Sequence, residues 1–178
     1  MESIVFFDIE TTGLNTCKDK IIAIGFMSKQ DKEPIISVGE EKYIIEEFLR
    51  YLEEIEDKYG KVVLVGWKIK NFDIPFVIMR SLVCNIDEKL VKIFLGAKIL
   101  DLAEVANKYL TINTQIPSSR EFCEAFDIEY DKEITGVDIP SLYKIGRIDR
   151  IVEHCRIDLF VIRELYKRMF PLLKFIMD

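Results

Sequence analysis

Asp8 and Glu10 stand one residue apart at the end of the apolar run IVFF, in the stretch FFDIETTGL over 6–14. Residues two apart in an extended strand point to the same face. Both carboxylates can therefore converge where the strand leaves the core. Converging carboxylates repel unless a proton or a cation lies between them, so the pair can hold a cation; an ordinary strand end with an acidic turn fits the stretch equally well. Thr11, Thr12 and Gly13 then turn the chain, and Gly13 can take a positive φ or admit a ligand close to the backbone.

Three further groups could add to that pair. GWKIKNFDIPF, 66–76, puts Asp73 a few residues beyond the apolar run VVLVG, where the chain enters a helix. A carboxylate there is either a helix cap or a third ligand. HCRID, 154–158, puts His154 and Asp158 four apart and hence on one helix face, where such a pair is most often simply solvated. Asp101 in ILDL resembles a fifth ligand, but capping the helix after it is the favoured reading. Lys144, Arg147, Arg150 and Arg156 form a basic string near His154 that suits either phosphate contacts or a solvated face.

A chain of 178 residues is the size of one domain, and a single one is expected over 1–178. The composition, 49% hydrophobic and 31% charged, is that of a globular protein, and no apolar run is long enough to span a bilayer. The start MESIVFF carries an acid where a signal peptide would carry positive charge, so an intracellular, cytoplasmic protein is expected. Cys17, Cys84, Cys123 and Cys155 are scattered without a CxxC pair, which argues against a zinc site or a disulfide framework. The net charge of −6 argues against coating nucleic acid by bulk electrostatics. It leaves room for an enzyme that grips a short strand end, since acids that hold divalent cations add to the negative formal charge.

The elements that must position these groups follow from periodicity. Strands are expected over 3–8, 21–28 and 34–38, joined by short links as an antiparallel meander. Tyr43, Ile44, Phe48, Tyr51, Leu52, Ile55 and Tyr59 recur at helical spacing before Gly60. VVLVG, 62–66, reads as a buried strand parallel to the first, because a helix precedes it. A helix over 73–84 tolerates Pro75 in its first turn. A short strand at 98–102 and a helix through Tyr109 follow, then a polar linker over 111–117. Ser118 and Glu121 have capping-box spacing, Asp138 can cap a short helix that Gly146 ends, and Ile151, Cys155, Leu159, Ile162, Tyr166 and Met169 mark one stripe of a long final helix. The fold class is α/β, a mixed central sheet flanked by helices.

Taken as a set, Asp8, Glu10, Asp73 and Asp158, with His154 beside the last, resemble the DEDD exonucleases, a family with a ribonuclease H-like fold. The resemblance spans nearly the whole chain. FFDIETTGL is similar to the first motif of that family, NFD to the second and His154–Asp158 to the third. GWKIKNFDIPF most resembles the exonuclease domain of family B DNA polymerases and its stand-alone bacterial and archaeal relatives. Two positions depart from the pattern. His154 sits at the spacing of the family's tyrosine subclass, one residue closer to the acid than in its histidine subclass, which on a helix is a rotation of about 100°. Lys68 stands where the polymerase-like relatives commonly have an Asn that holds the strand near its 3′ end.

The resemblance implies two divalent cations, Mg²⁺ or Mn²⁺, with Asp8 bridging both, Glu10 and Asp158 on the one that activates water, and Asp73 supporting the other. It implies that His154 orients or deprotonates the nucleophile, that backbone groups of Thr11 and Thr12 meet the terminal nucleotide, and that Leu14 wedges against its base, with plain core as the other reading of Leu14. A cationic Lys68 would meet a phosphate. The function it implies is a 3′ to 5′ exonuclease that releases nucleoside monophosphates from single-stranded nucleic acid, DNA favoured. An exoribonuclease on short RNA and a non-catalytic nucleic-acid-binding accessory subunit are the alternatives. A DNA polymerase or repair protein is the implied partner, and no membrane is involved.

Overall fold

The computed structural model describes residues 2–112 and 118–177. Five strands, β1 (Ser3–Thr11), β2 (Ile21–Ser28), β3 (Ile35–Val38), β4 (Val62–Gly66) and β5 (Lys98–Asp101), form one sheet in the order β3-β2-β1-β4-β5. β1, β2 and β3 are antiparallel neighbours, as their short links require, while β4 and β5 run parallel to β1 after helical crossovers. The helices are α1 (Glu41–Tyr59), α2 (Asp73–Val83), α3 (Glu88–Gly96), α4 (Leu102–Tyr109), α5 (Ser119–Phe126), α6 (Ile139–Lys144) and α7 (Ile148–Met177). The mixed sheet and its flanking helices are the α/β, ribonuclease H-like arrangement the sequence implied.

Strand alternation sorts the core into two layers. Val5, Phe7 and Ile9, with Ile24, Phe26 and Leu64, face α1, α2 and α3. Phe7 stacks on Phe48 of α1 at 5.2 Å, and Phe94 of α3 meets both rings edge-on. Each such fully buried ring contributes about 2–3 kcal/mol relative to exposure. On the opposite face Ile4 and Phe6, with Met27, Val63 and Val65, pack under α4, α5 and α7. The whole expected stripe of α7, from Ile151 to Met169, is buried.

α7 lies very close to the sheet at one point. Gly25 is the β2 residue paired with Asp8, and a Cβ built there would lie 2.6 Å from Leu159 Cδ1 and 2.7 Å from Cys155 Sγ. The bare backbone at this position is what admits the helix.

A buried ion pair closes the other layer. Glu41, the first residue of α1, accepts from Arg80 Nε at 2.8 Å and Arg80 Nη2 at 2.7 Å, and its Oε1 also accepts the Ile21 N–H at 2.8 Å. The two side chains are only 10% and 6% exposed. One bidentate contact thus joins the starts of α1 and β2 to α2.

Several elements differ from expectation. α3 carries no signal long enough to read, since only Leu90, Val91 and Phe94 of its nine residues are buried; Asp87 caps it by accepting the Lys89 N–H. β1 runs three residues past the expected end because pairing to β2 continues through Thr11, across an irregularity after Glu10. Asp138 does not cap α6: its carboxylate turns back to accept the Thr135 N–H and hydroxyl at 2.9 and 2.8 Å. Ser118 and Glu121 do form the capping box, and Gly60, at φ 92°, ends α1. The expected linker over 111–117 lies mostly outside the described residues. Among the described residues no helix is long and apolar enough to cross a membrane.

Candidate active site

The parallel pairing of β1 with β4 stops at Phe6 and Val65. At Gly66 the chain then turns so sharply that a Cβ would lie 2.3 Å from Ile69 Cγ2 and 3.0 Å from the Phe7 carbonyl oxygen. β1 runs on, and its edge toward β4 opens. Asp73 fills that opening: its Oδ1 accepts the Ile9 N–H at 3.2 Å. The N-cap position of α2 belongs to Phe72, which has no side-chain acceptor, so Asp73 serves the strand rather than capping the helix.

The face that carries Ile4 and Phe6 into the core continues with Asp8 and Glu10, now beyond the apolar contacts and opposite α7. There His154 and Asp158, one turn apart, point back at the sheet. His154 Nε2 is 3.5 Å from Asp158 Oδ2 and 3.9 Å from Glu10 Oε1. Asp8, Glu10, Asp73, His154 and Asp158 all line one cleft of about 300 Å³. Acids from β1, α2 and α7 therefore line one cleft. Ligand atoms of Glu10, His154 and Asp158 lie within 4.8 Å of one another, as do those of Asp8, Glu10 and Cys155.

All four carboxyl groups are displaced toward the protonated form. Burial pushes Asp8 well above the ordinary range, and Glu10, Asp73 and Asp158 add to it. Glu10 is raised by burial, then by Asp158 and Asp73. Burial lifts Asp73 to about 7 against the backbone hydrogen bonds it accepts. Asp158 is raised by burial, with His154 opposing. Such a cluster favours added positive charge, and carboxylate oxygens suit hard divalent cations rather than soft ones. The donor set thus fits Mg²⁺ or Mn²⁺. Burial pushes the Cys155 thiol well up too, so it meets the cluster as a neutral group.

This charge pattern fixes the pH dependence of stability. A carboxyl whose folded pKa is raised binds its proton more tightly in the native state, so stability falls as pH climbs from the unfolded value toward the folded one. For Asp73 that window runs from 3.8 to about 7. Asp31, Asp131, Asp138, Asp149 and Glu121 are shifted down instead and are fully ionised by mid-range pH. The metal-free protein is expected to melt progressively lower between about pH 4 and 7, with Mg²⁺ or Mn²⁺ restoring more at the higher pH. Calorimetry in chelator and in excess cation checks this, and a melting temperature that is flat in pH and indifferent to cations contradicts it.

The mouth of the cleft is mixed. Leu14 is 85% exposed at the mouth, so it is not core. Thr11 lines the cleft, its hydroxyl donating to the Gly13 carbonyl at 2.6 Å. Thr12 is not among the lining residues: its N–H donates to the Lys20 carbonyl and its hydroxyl oxygen accepts the Lys20 N–H, both at 2.9 Å, so it closes the 12–20 loop and its amide is engaged. Gly13 has no positive φ. It leaves room instead for the Asp19 carboxylate, 2.5 Å from where a Cβ would sit.

Lys68 lines the cleft and holds a left-handed backbone, φ 63°, a conformation that costs a non-glycine residue about 1–2 kcal/mol. Asp101 holds it there, accepting the Lys68 N–H at 2.9 Å and the Lys70 N–H at 3.1 Å while capping α4 at Ala103. Asp101 is thus a clamp and a cap, outside the acid cluster. The basic string is a solvated face: Arg147 pairs with Asp149, Arg150 with Glu133 and Arg156 with Glu33 and Glu153, Lys144 is exposed, and none of the four lines the cleft.

The cleft is also lined by Ile9, Trp67, Phe72 and Gly136, which the sequence does not mark as site residues. The Trp67 indole N–H is buried without a hydrogen-bond partner among the described residues. Both aromatic positions were within the motif around Asp73, and interleaved aromatic and cationic residues were the signal to be had. Asp131, behind His154 rather than in this cleft, touches the imidazole at 3.1 Å and lies in an irregular stretch with no pattern to single it out.

Three comparisons bear on this arrangement. A family model described as RNase_H superfamily matches residues 5–170. An uncharacterised protein of Methanocaldococcus jannaschii is 29% identical over 168 residues, which cover 90% of this chain and 91% of that one. The structure of the family B DNA polymerase from the hyperthermophilic archaeon Pyrobaculum calidifontis superposes with a TM-score of 0.77 at 15% identity, over 96% of this chain but 25% of the polymerase. This chain thus spans about a quarter of the polymerase, and the likeness to it is one of fold.

Proposed function

The chain belongs to the RNase H superfamily, and from that premise we propose that it is a metal-dependent 3′ to 5′ exonuclease that releases nucleoside monophosphates from single-stranded nucleic acid, DNA favoured. The observation that carries the reading is the meeting of four carboxylates from β1, α2 and α7 beside a histidine in one cleft. Asp8, Glu10, Asp73 and Asp158 would hold the cations. When bound, two such ions supply an activated water, neutralise the charge of the pentacoordinate transition state and stabilise the leaving 3′ oxygen.

The protein's own groups do the remaining work. His154, with Nε2 toward Glu10 and Asp158, orients the attacking water or takes its proton. Leu14, Trp67 and Phe72 offer apolar and aromatic surface for the terminal base. Lys68 offers a cation for a phosphate. A DNA polymerase or repair protein is the proposed partner.

The test is digestion of matched 5′-labelled DNA and RNA oligonucleotides with Mg²⁺ or Mn²⁺ and with chelator. Mononucleotides released only with metal, and faster from DNA, are expected. In His154→Ala, Mn²⁺ binding by calorimetry persists while turnover falls about 10²- to 10⁴-fold. Tight oligonucleotide binding without digestion refutes the enzyme and favours an accessory subunit, and faster release from RNA makes the protein an exoribonuclease.

A further inference from the structure

We propose that Asp131 is a positioning residue for His154: it holds the neutral imidazole in the Nδ1–H tautomer and so turns the Nε2 lone pair into the acid cleft. The exonuclease reading enters only in what that lone pair acts on.

The geometry is that of a carboxylate–imidazole dyad. Asp131 Oδ2 lies 3.1 Å from His154 Nδ1, and the side chains are 10% and 5% exposed. Asp131 is itself held from behind. Its Oδ1 accepts the N–H groups of Glu133 at 2.9 Å and Ile134 at 3.0 Å. Arg120 Nη2 donates to the backbone carbonyls of Asp131 and Ile134 at 2.9 and 2.6 Å, fixing the turn to α5. The carboxylate cannot swing away without breaking these bonds.

A carboxylate is acceptor-only, so the nitrogen facing it must carry a proton. The opposite tautomer would set the Nδ1 lone pair against Asp131 Oδ2. With the proton on Nδ1, the neutral ring presents Nε2 to Glu10 and Asp158 as an acceptor, able to take a proton from a water held between them. The departure at position 154 makes this partner necessary. A tyrosine hydroxyl rotates freely and has no tautomer to choose. An imidazole at the same place works only if the correct nitrogen is bare, and a residue 23 positions upstream makes that choice.

His154 is the only histidine in the chain, so ring ¹⁵N spectra report on it alone. In wild type, under conditions where the spectrum shows a neutral ring, Nδ1 is expected to be the protonated nitrogen and Nε2 the bare one. Asp131→Asn keeps an oxygen for the Glu133 and Ile134 amides and presents an N–H to Nδ1, so the two nitrogens exchange roles. With the wrong tautomer in an intact site, kcat falls about 10²- to 10⁴-fold while KM stays within about twofold.

A wild-type ring protonated on Nε2 overturns the proposal without any variant. So does an Asp131→Asn spectrum with the nitrogens unchanged, whatever its rate, because a lower rate alone then reports a loosened turn. If the nitrogens behave as expected and no oligonucleotide is digested, the exonuclease reading falls and the dyad stands.

Discussion

Asp8→Asn is expected to lower turnover by about 10⁴-fold, equivalent to about 5.5 kcal/mol of transition-state stabilisation, and at the same time to raise the melting temperature of the metal-free protein. Both effects have one cause. Asp8 sits where burial, Glu10, Asp73 and Asp158 all oppose its charge, so in the absence of a cation its ionised form costs stability. An isosteric amide removes that charge and gains about 1–3 kcal/mol by relieving desolvation and repulsion. It also removes one anionic donor from the place where cations would bind. Steady-state rates with Mn²⁺ and calorimetry in chelator measure the two effects on one preparation. An inactive variant that melts lower than wild type is merely damaged, and one that keeps a tenth of its activity removes Asp8 from the machinery.

The largest effect on stability is expected from Arg80→Ala, about 3–5 kcal/mol, because it strands Glu41 as a buried charge whose guanidinium partner is gone. Among the described residues, Glu41 would retain the Ile21 N–H and the Cys84 thiol. Three elements meet at this carboxylate, so the loss loosens the starts of α1 and β2 together. Urea denaturation should show a lower midpoint at unchanged slope. The double variant Arg80→Met with Glu41→Gln, which leaves no unpaired charge, should recover more than half of the loss. A cost below about 1 kcal/mol for Arg80→Ala would mean that water replaces the guanidinium and that the pair is not structural.

What could be read in advance was whatever a short-range period encodes. Alternation along β1 places Asp8 and Glu10 on one face, and the four-residue step places His154 and Asp158 on one face of α7; both relations survive folding because they are properties of the backbone itself. The stripe from Ile151 to Met169 was legible for the same reason. Asp131 was not, because its approach to His154 depends on a turn braced by Arg120, and no period links positions 120, 131 and 154. Local partners that no period encodes decide the geometry at Thr12, Gly13 and Asp138: Lys20 for Thr12, Asp19 at Gly13 and Thr135 for Asp138. α3 was missed because two turns with three buried side chains do not establish a repeat.

The acid set is spread over three elements, with Asp8 and Glu10 on the sheet, Asp73 on α2 and Asp158 on the long helix, and Gly25 is the gauge between the sheet and that long helix. A single hydrogen there sets how far apart these two stand. Any carbon at that place would act as a shim, lifting His154 and Asp158 off the strand while leaving every donor intact. A residue that offers no chemistry of its own thereby decides whether the chemistry of the others can be pooled.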